Sequence, residues 1–252
     1  MSDWAVVTGG GTGIGRALAH TLAEQDVDVL IVGRRQAPLE QTRAADSRHI
    51  HCLAADVSSE QGRAAIAAAL PATARLRYLV HNAGVLTPIG PLSEVKLDQW
   101  RQSQAINVEG PLFLTQALLQ RLSGGRVLHV SSGAAHHGYR GWGAYCASKA
   151  ALHMIYLVLR EELQAQGIAV GSMRPGVVDT PMQDLIREQT PERFPAVGRF
   201  MTLKEQGALV EPAQVAAFMA WLLQRCPAEE FSALEWEFTN AAHRARWQTD
   251  IE

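Results

Sequence analysis

The sequence predicts an α/β fold: a single domain built on a doubly wound parallel sheet with helices on both faces. Three observations lead there. Short β-branched or apolar runs alternate with longer helix-patterned stretches, which is the signature of repeated βαβ units. The runs are apolar nearly throughout, as in Val27-Asp28-Val29-Leu30-Ile31-Val32, and strands covered on both faces need that composition. The first run passes through a glycine-rich turn directly into a helical pattern.

In chain order, strands are expected near 4–8, 27–32, 49–54, 77–81, 125–131 and 168–173. Helices are expected at 14–25, 37–46, 59–70, 94–121, 143–166 and 212–224. Pro181, Pro191, Pro195, Gly198 and Gly207 break the stretch 181–210 into short helices and loops, placed to serve as a substrate lid. No repeat, low-complexity tract or linker divides the 252 residues, so 1–252 reads as one domain.

Hydrophobic residues make up 47% of the chain and charged residues 19%, which excludes disorder. A net charge of −2 without a basic block leaves no footprint for nucleic acid or an anionic membrane surface. No apolar run approaches the roughly 18–20 residues that cross a bilayer. Cys52, Cys146 and Cys226 stand far apart, so neither a disulfide framework nor a cysteine zinc site is indicated. His136-His137 has no third ligand at metal-binding spacing and reads equally as a solvated pair or a pocket wall, so no metal is expected. The first strand begins at Trp4, which leaves little room for a cleaved leader. A small-molecule partner and a cytoplasmic location are the expectations.

The turn is Thr8-Gly9-Gly10-Gly11-Thr12-Gly13-Ile14-Gly15-Arg16. A dinucleotide pyrophosphate needs backbone N–H groups at a helix N-terminus with no side chains in the way. Gly9, Gly13 and Gly15 meet that need, with Thr12 and Ile14 between them. This is a Rossmann arrangement, although its G-x-x-x-G-x-G spacing differs from the common G-x-G-x-x-G. The second strand ends in Gly33-Arg34-Arg35, where an acidic residue would select the free ribose hydroxyl of NAD. A guanidinium instead holds a 2′-phosphate through bidentate bonds, so NADP is the expected cofactor, with Arg34 ahead of Arg35. The alternative is a solvated arginine pair. Asp56-Val57 ends the third strand, where the carboxylate either accepts from the adenine amino group or caps the next helix.

Tyr145 and Lys149 are four residues apart in a helical segment, which puts both on one helix face. A phenol exchanging protons near pH 7 must come down by about 3 pH units, equivalent to about 4 kcal/mol. A nearby ammonium and a cationic nicotinamide are expected to supply that in a dry cleft. Ser131-Ser132 and His81-Asn82-Ala83-Gly84 close two other strands, and strand ends on one edge of such a sheet share one crevice.

Thr8 to Gly15, Asn82-Ala83-Gly84, Asn107, Ser132, Tyr145 with Lys149, and Arg174-Pro175-Gly176 with Thr180 together resemble the short-chain dehydrogenase/reductase family over nearly the whole chain. The resemblance implies a proton-handling set of Asn107, Ser132, Tyr145 and Lys149. Tyr145 would exchange a proton with the substrate oxygen, Ser132 would orient that oxygen, and Lys149 would bind the nicotinamide ribose. Asn107 would hold a water leading to solvent. It further implies that Asn82, Ala83 and Gly84, and Pro175, Gly176, Val178 and Thr180, line the cofactor, and that the protein is a homodimer or homotetramer. His81 departs from the family's usual asparagine, and an Asp-Gly-Gly-like segment is missing near the C-terminus. The stretch from Arg174 to Gln183 with Leu203 to Gly207 resembles the branch that contains sepiapterin reductase and bacterial benzil reductase, which reduce vicinal dicarbonyls.

The function expected is therefore NADP-dependent reduction of a ketone, a vicinal dicarbonyl by preference. Alternatives are reduction of another ketone, alcohol oxidation, an epimerase or dehydratase with retained cofactor, and a non-catalytic NADP-binding sensor. Trp142, Met182 and Met201 are candidate pocket walls, Trp221, Trp236 and Trp247 core or interface residues, and Cys146 has no catalytic role.

Overall fold

Each apolar run of the sequence becomes a parallel strand of one sheet in the computed structural model, which describes residues 3–250. The strands are β1 (Asp3–Thr8), β2 (Asp28–Gly33), β3 (Ile50–Ala54), β4 (Arg75–His81), β5 (Arg126–Val130), β6 (Ala169–Arg174) and β7 (Glu235–Glu237). Their order is β3-β2-β1-β4-β5-β6-β7, so the direction of winding reverses beside β1. A crevice forms outside the carboxyl ends of the strands at such a switch point.

The helices are α1 (Gly13–Ala23), α2 (Gln36–Arg43), α3 (Glu60–Ala69), α4 (Leu97–Gln104), α5 (Gly110–Leu118) and α6 (Gly143–Gln164). After β6 come α7 (Pro181–Arg187), α8 (Val197–Glu205), α9 (Pro212–Gln224), α10 (Ala228–Ala233) and α11 (Ala241–Thr249). Successive side chains of a strand point to opposite faces, and both faces are covered. Ala5 and Val7 of β1 pack with Leu18 and Leu22 of α1 and Phe218 of α9. Val6 packs on the other face with Leu114 and Leu118 of α5 and Tyr156 and Leu159 of α6. The fold class expected from the alternating pattern is the one observed.

Four elements differ from expectation. The helix expected over 94–121 is interrupted by a π-helical segment, Ala105–Glu109, because Pro111 has no N–H to return to the carbonyl of Asn107 four residues back. A seventh strand, Glu235-Trp236-Glu237, pairs with β6, and its two carboxylates hide it from a search for apolar runs. Beyond α9, α10 and α11 were also not expected. The stretch 181–210 is broken as expected, holding α7 and α8 with loops between them. No helix among the described residues is long and apolar enough to cross a membrane.

Candidate active site

The glycine turn folds as its chemistry requires. Gly9 and Gly13 have φ of +69° and +53°, the left-handed region that a side chain disfavours. A Cβ on Gly15 would collide with the Gly9 carbonyl, and one on Gly13 would lie 2.9 Å from Thr180 Cγ2. Thr12 starts α1 without a side-chain cap, and the first turn carries no acidic residue. The amides there are open to an anion, which is how a helix N-terminus accepts a pyrophosphate.

Residues outside the motif hold the turn in place. Asn82 Nδ2 donates to the Thr8 and Gly9 carbonyls at 2.9 and 3.3 Å. Thr8 Oγ1 accepts from the amides of Asn82 and Ala83. The side chain of Asn82 thus fastens the turn to the end of β4. Arg16, not singled out from the sequence, donates from Nη2 to the Gly11 carbonyl at 2.6 Å and from Nε to Thr42 Oγ1. The signal for it was its place directly after the last glycine.

A groove of about 190 Å³ lies between the turn and the ends of β2 and β3, lined by Arg34, Arg35, Asp56 and Val57. Both arginines are exposed, and neither forms an ion pair among the described residues. Asp56 Oδ1 accepts from the amide and hydroxyl of Ser58 at 2.9 and 2.7 Å. Ser59 caps α3. Asp56 therefore shapes the turn before α3 and still faces the groove.

Gly9, Thr12, Arg34, Ala83 and Gly84 also border a larger cleft of about 720 Å³. Gly13, Ile14, Asn82, Ser132, Tyr145, Lys149, Pro175, Gly176, Val178 and Thr180 line it, so glycine turn, serine, tyrosine and lysine meet in one crevice. Gly15 and Asn107 do not line it. Gly15 packs behind the turn and Asn107 behind Gly84.

Ser132 beside the Tyr145 phenol favours its ionised form, yet burial outweighs it and pushes the phenol up to about 12. The expected lowering is not supplied by the protein's own groups. Lys149 Nζ lies 5.8 Å from the tyrosine ring centroid and donates to the Val130 carbonyl at 2.7 Å. Burial also brings Lys149 down to about 8, with the charge of Glu235 opposing the fall. Asn107, 1% exposed, spends its side chain on neighbours. Oδ1 accepts from the Val85 amide at 2.9 Å, while Nδ2 donates to the Val85 carbonyl and to Ser148 Oγ. The π-helical segment aims it there.

The far wall is apolar. Trp142 stacks on Phe194 at 4.4 Å and meets Tyr145 edge-on at 5.9 Å, and Leu86, Met182, Leu185, Ile186 and Phe200 complete the lining. Met201 does not reach the cleft and is 46% exposed, because it follows Phe200 on α8 and faces away. Trp221 and Trp236 are core residues, with Trp247 packed against them. Cys146 packs beside the wall.

One group was not legible in the sequence. His136, His153 and Glu235 bring three ligand-type atoms within 4.8 Å of one another, although His136 and Glu235 are 99 residues apart. The Arg174 guanidinium lies 3.2 Å from the same carboxylate, which opposes a second cation there.

The family model for short chain dehydrogenases matches residues 3–191. A benzil reductase ((S)-benzoin forming) of Bacillus cereus is 32% identical over 241 residues, covering 90% of this chain and 95% of that one. The crystal structure of YIR035C, a short-chain dehydrogenase/reductase from Saccharomyces cerevisiae, superposes with a TM-score of 0.89 at 28% identity, covering 97% of this chain and 99% of that chain. A putative NAD(P)-dependent gluconate 5-dehydrogenase from Beutenbergia cavernae, solved with bound NADP, superposes at 0.80 with 29% identity and covers 94% of each chain.

Proposed function

Because the chain belongs to the short-chain dehydrogenase family and is an oxidoreductase, we propose that it reduces a ketone, a vicinal dicarbonyl by preference, with NADPH. The observation that carries this reading is the meeting of Ser132, Tyr145 and Lys149 with the glycine turn in one cleft that has an apolar far wall. Open amides at the start of α1 fit a pyrophosphate, and the unpaired Arg34 and Arg35 fit a 2′-phosphate. Pro175, Gly176, Val178 and Thr180 would hold the nicotinamide end. The reduced nicotinamide supplies the hydride.

Ser132 hydrogen-bonds the substrate oxygen and Tyr145 delivers the proton to it. Burial keeps the Tyr145 phenol protonated at neutral pH, which suits reduction, since the oxygen that receives the proton becomes alkoxide-like and far more basic than a phenolate. Lys149 contributes positive charge beneath the tyrosine and a donor to the ribose. Asn107 acts as a positioning residue that fixes Val85, just after the Asn82-Ala83-Gly84 loop. Trp142, Met182 and Phe200 give the substrate an apolar bed. An adjacent carbonyl withdraws electron density and makes the attacked carbon a better hydride acceptor, and the Bacillus relatives carry the name benzil reductase.

Exposed Phe113 on α5 and Met154 and Val158 on α6 support a homo-oligomer, and three unbridged cysteines suit a cytoplasmic setting. The test follows NADPH absorbance with benzil or a 1,2-dione against a monoketone of matched size. We expect kcat/KM to favour the dione by about tenfold or more, about 1.4 kcal/mol. A monoketone that wins by that margin removes the dicarbonyl assignment, and no turnover with any carbonyl removes the reductase.

A further inference from the structure

We propose that Glu235 is a positioning residue for the reaction, whose carboxylate ties together the three segments bearing Ser132, Lys149 and Pro175-Gly176 and keeps a negative charge behind the lysine. The inference rests on the reductase reading. Glu235 lies on β7, the last strand, and its side chain is 9% exposed. A carboxylate so buried is stable only when its oxygens are satisfied and its charge is matched.

Its partners come from three segments. His136 Nε2, in the segment after Ser132, reaches Oε2 at 2.6 Å. His153 Nδ1 reaches Oε1 at 3.2 Å from α6, one turn beyond Lys149. Ser172 Oγ donates to Oε1 at 3.0 Å, and Arg174 Nε lies 3.2 Å from Oε2. Arg174 directly precedes Pro175 and also holds Glu237 at 2.8 Å. One carboxylate thus sets the spacing of the serine loop, the catalytic helix and the end of β6; His136, His153 and Ser172 hold it from outside the cleft, and Arg174 borders the cleft itself.

The charge has a second consequence. The titratable and charged groups around Glu235 are His136, His153, Arg174, Tyr156 and, through space, Lys149. Its negative charge resists the loss of the lysine proton that burial promotes. A neutral side chain of the same shape leaves the tethers partly intact and removes that resistance.

The experiment compares wild type, Glu235→Gln and Glu235→Asp for NADPH affinity, kcat and the pH dependence of kcat/KM. Wild-type turnover and its loss in Tyr145→Phe are measured first, so failure of the reductase reading appears there and failure of this inference only in the Glu235 series. We expect Glu235→Gln to bind NADPH within about threefold of wild type, to lose about tenfold in kcat, and to move its alkaline limb down by about half a pH unit or more. Glu235→Asp keeps the charge and should hold the limb at the wild-type position while kcat falls. A limb that coincides in wild type and Glu235→Gln overturns the proposal. If Glu235→Gln does not fold, Ser172→Ala and His153→Gln each cut one tether. A loss of about fivefold in kcat with NADPH affinity retained supports the proposal, and unchanged kcat in both overturns it.

Discussion

Tyr145 and Lys149 are opposite cases of one environment. Burial raises the phenol to about 12 and lowers the ammonium to about 8, because in each case the charged form loses its water. In the free enzyme the lysine is then the group that titrates near neutrality. Its protonated form is present below about 8 and lost above it, so kcat/KM for reduction should fall as the pH rises through about 8, read from a pH–rate profile. Tyr145→Phe removes the proposed proton donor and keeps the ring. We expect turnover to disappear while NADPH binding stays within about threefold of wild type, measured by nucleotide fluorescence. A residual rate above about a tenth of wild type would reassign the acid. Arg34 lies exposed beside both parts of the cleft, and Arg34→Asp should reduce or reverse the preference for NADPH over NADH in kcat/KM. Equal values for the two cofactors in wild type would remove that selectivity.

At the scale of elements, what the sequence made legible was whatever depends on local pattern. β2 and its neighbours are apolar because helices cover both faces, and the glycine turn announces itself by three positions where a side chain is excluded. Gly15→Ala tests the turn: the added Cβ meets the Gly9 carbonyl and Asn82 Nδ2, so NADPH affinity should drop by about tenfold or more in a binding titration. The break at Ala105–Glu109 was not read, although Gly110-Pro111 stood in the sequence, because the surrounding period is helical on both sides. β7 escaped for another reason. A three-residue strand with glutamates at both ends has no apolar run, and its carboxylates find their partners on β6, α6, the loop after β5 and Thr239.

Across the whole molecule, long-range pairings were the hidden part. His81 and His129 come from two strands and meet face to tilted face at 5.0 Å. His81 Nε2 bonds Thr115 Oγ1 at 2.8 Å, whereas neither ring nitrogen of His129 has a partner among the described residues. Burial, with the charge of Lys149, lowers His129 from 6.5 to about 3. Between those values the unfolded chain binds more protons than the folded one, so stability falls as the pH drops through 6.5 toward 3. The loss should reach about 3 kcal/mol by about pH 4. His129→Leu removes one of the two buried rings and should shrink this acid dependence, the remainder coming from His81, which burial also holds well below 6.5, with stability at neutral pH unchanged or raised. Denaturant unfolding of both proteins at about pH 7 and about pH 4.5 checks it, and parallel slopes against pH would locate the acid sensitivity elsewhere.

The pairing of β7 with β6 also bears on the order in which the protein becomes functional during synthesis. The four residues of the proposed proton-handling set lie before residue 150, yet the carboxylate proposed to space their segments, Glu235, comes much later in the chain. A nascent chain that has emerged only as far as β6 can form six strands and close the glycine turn, but its serine loop and catalytic helix lack their common anchor. On this account a competent centre waits for β7 to emerge, and a chain that stops short of β7 holds the cofactor residues without the arrangement that uses them.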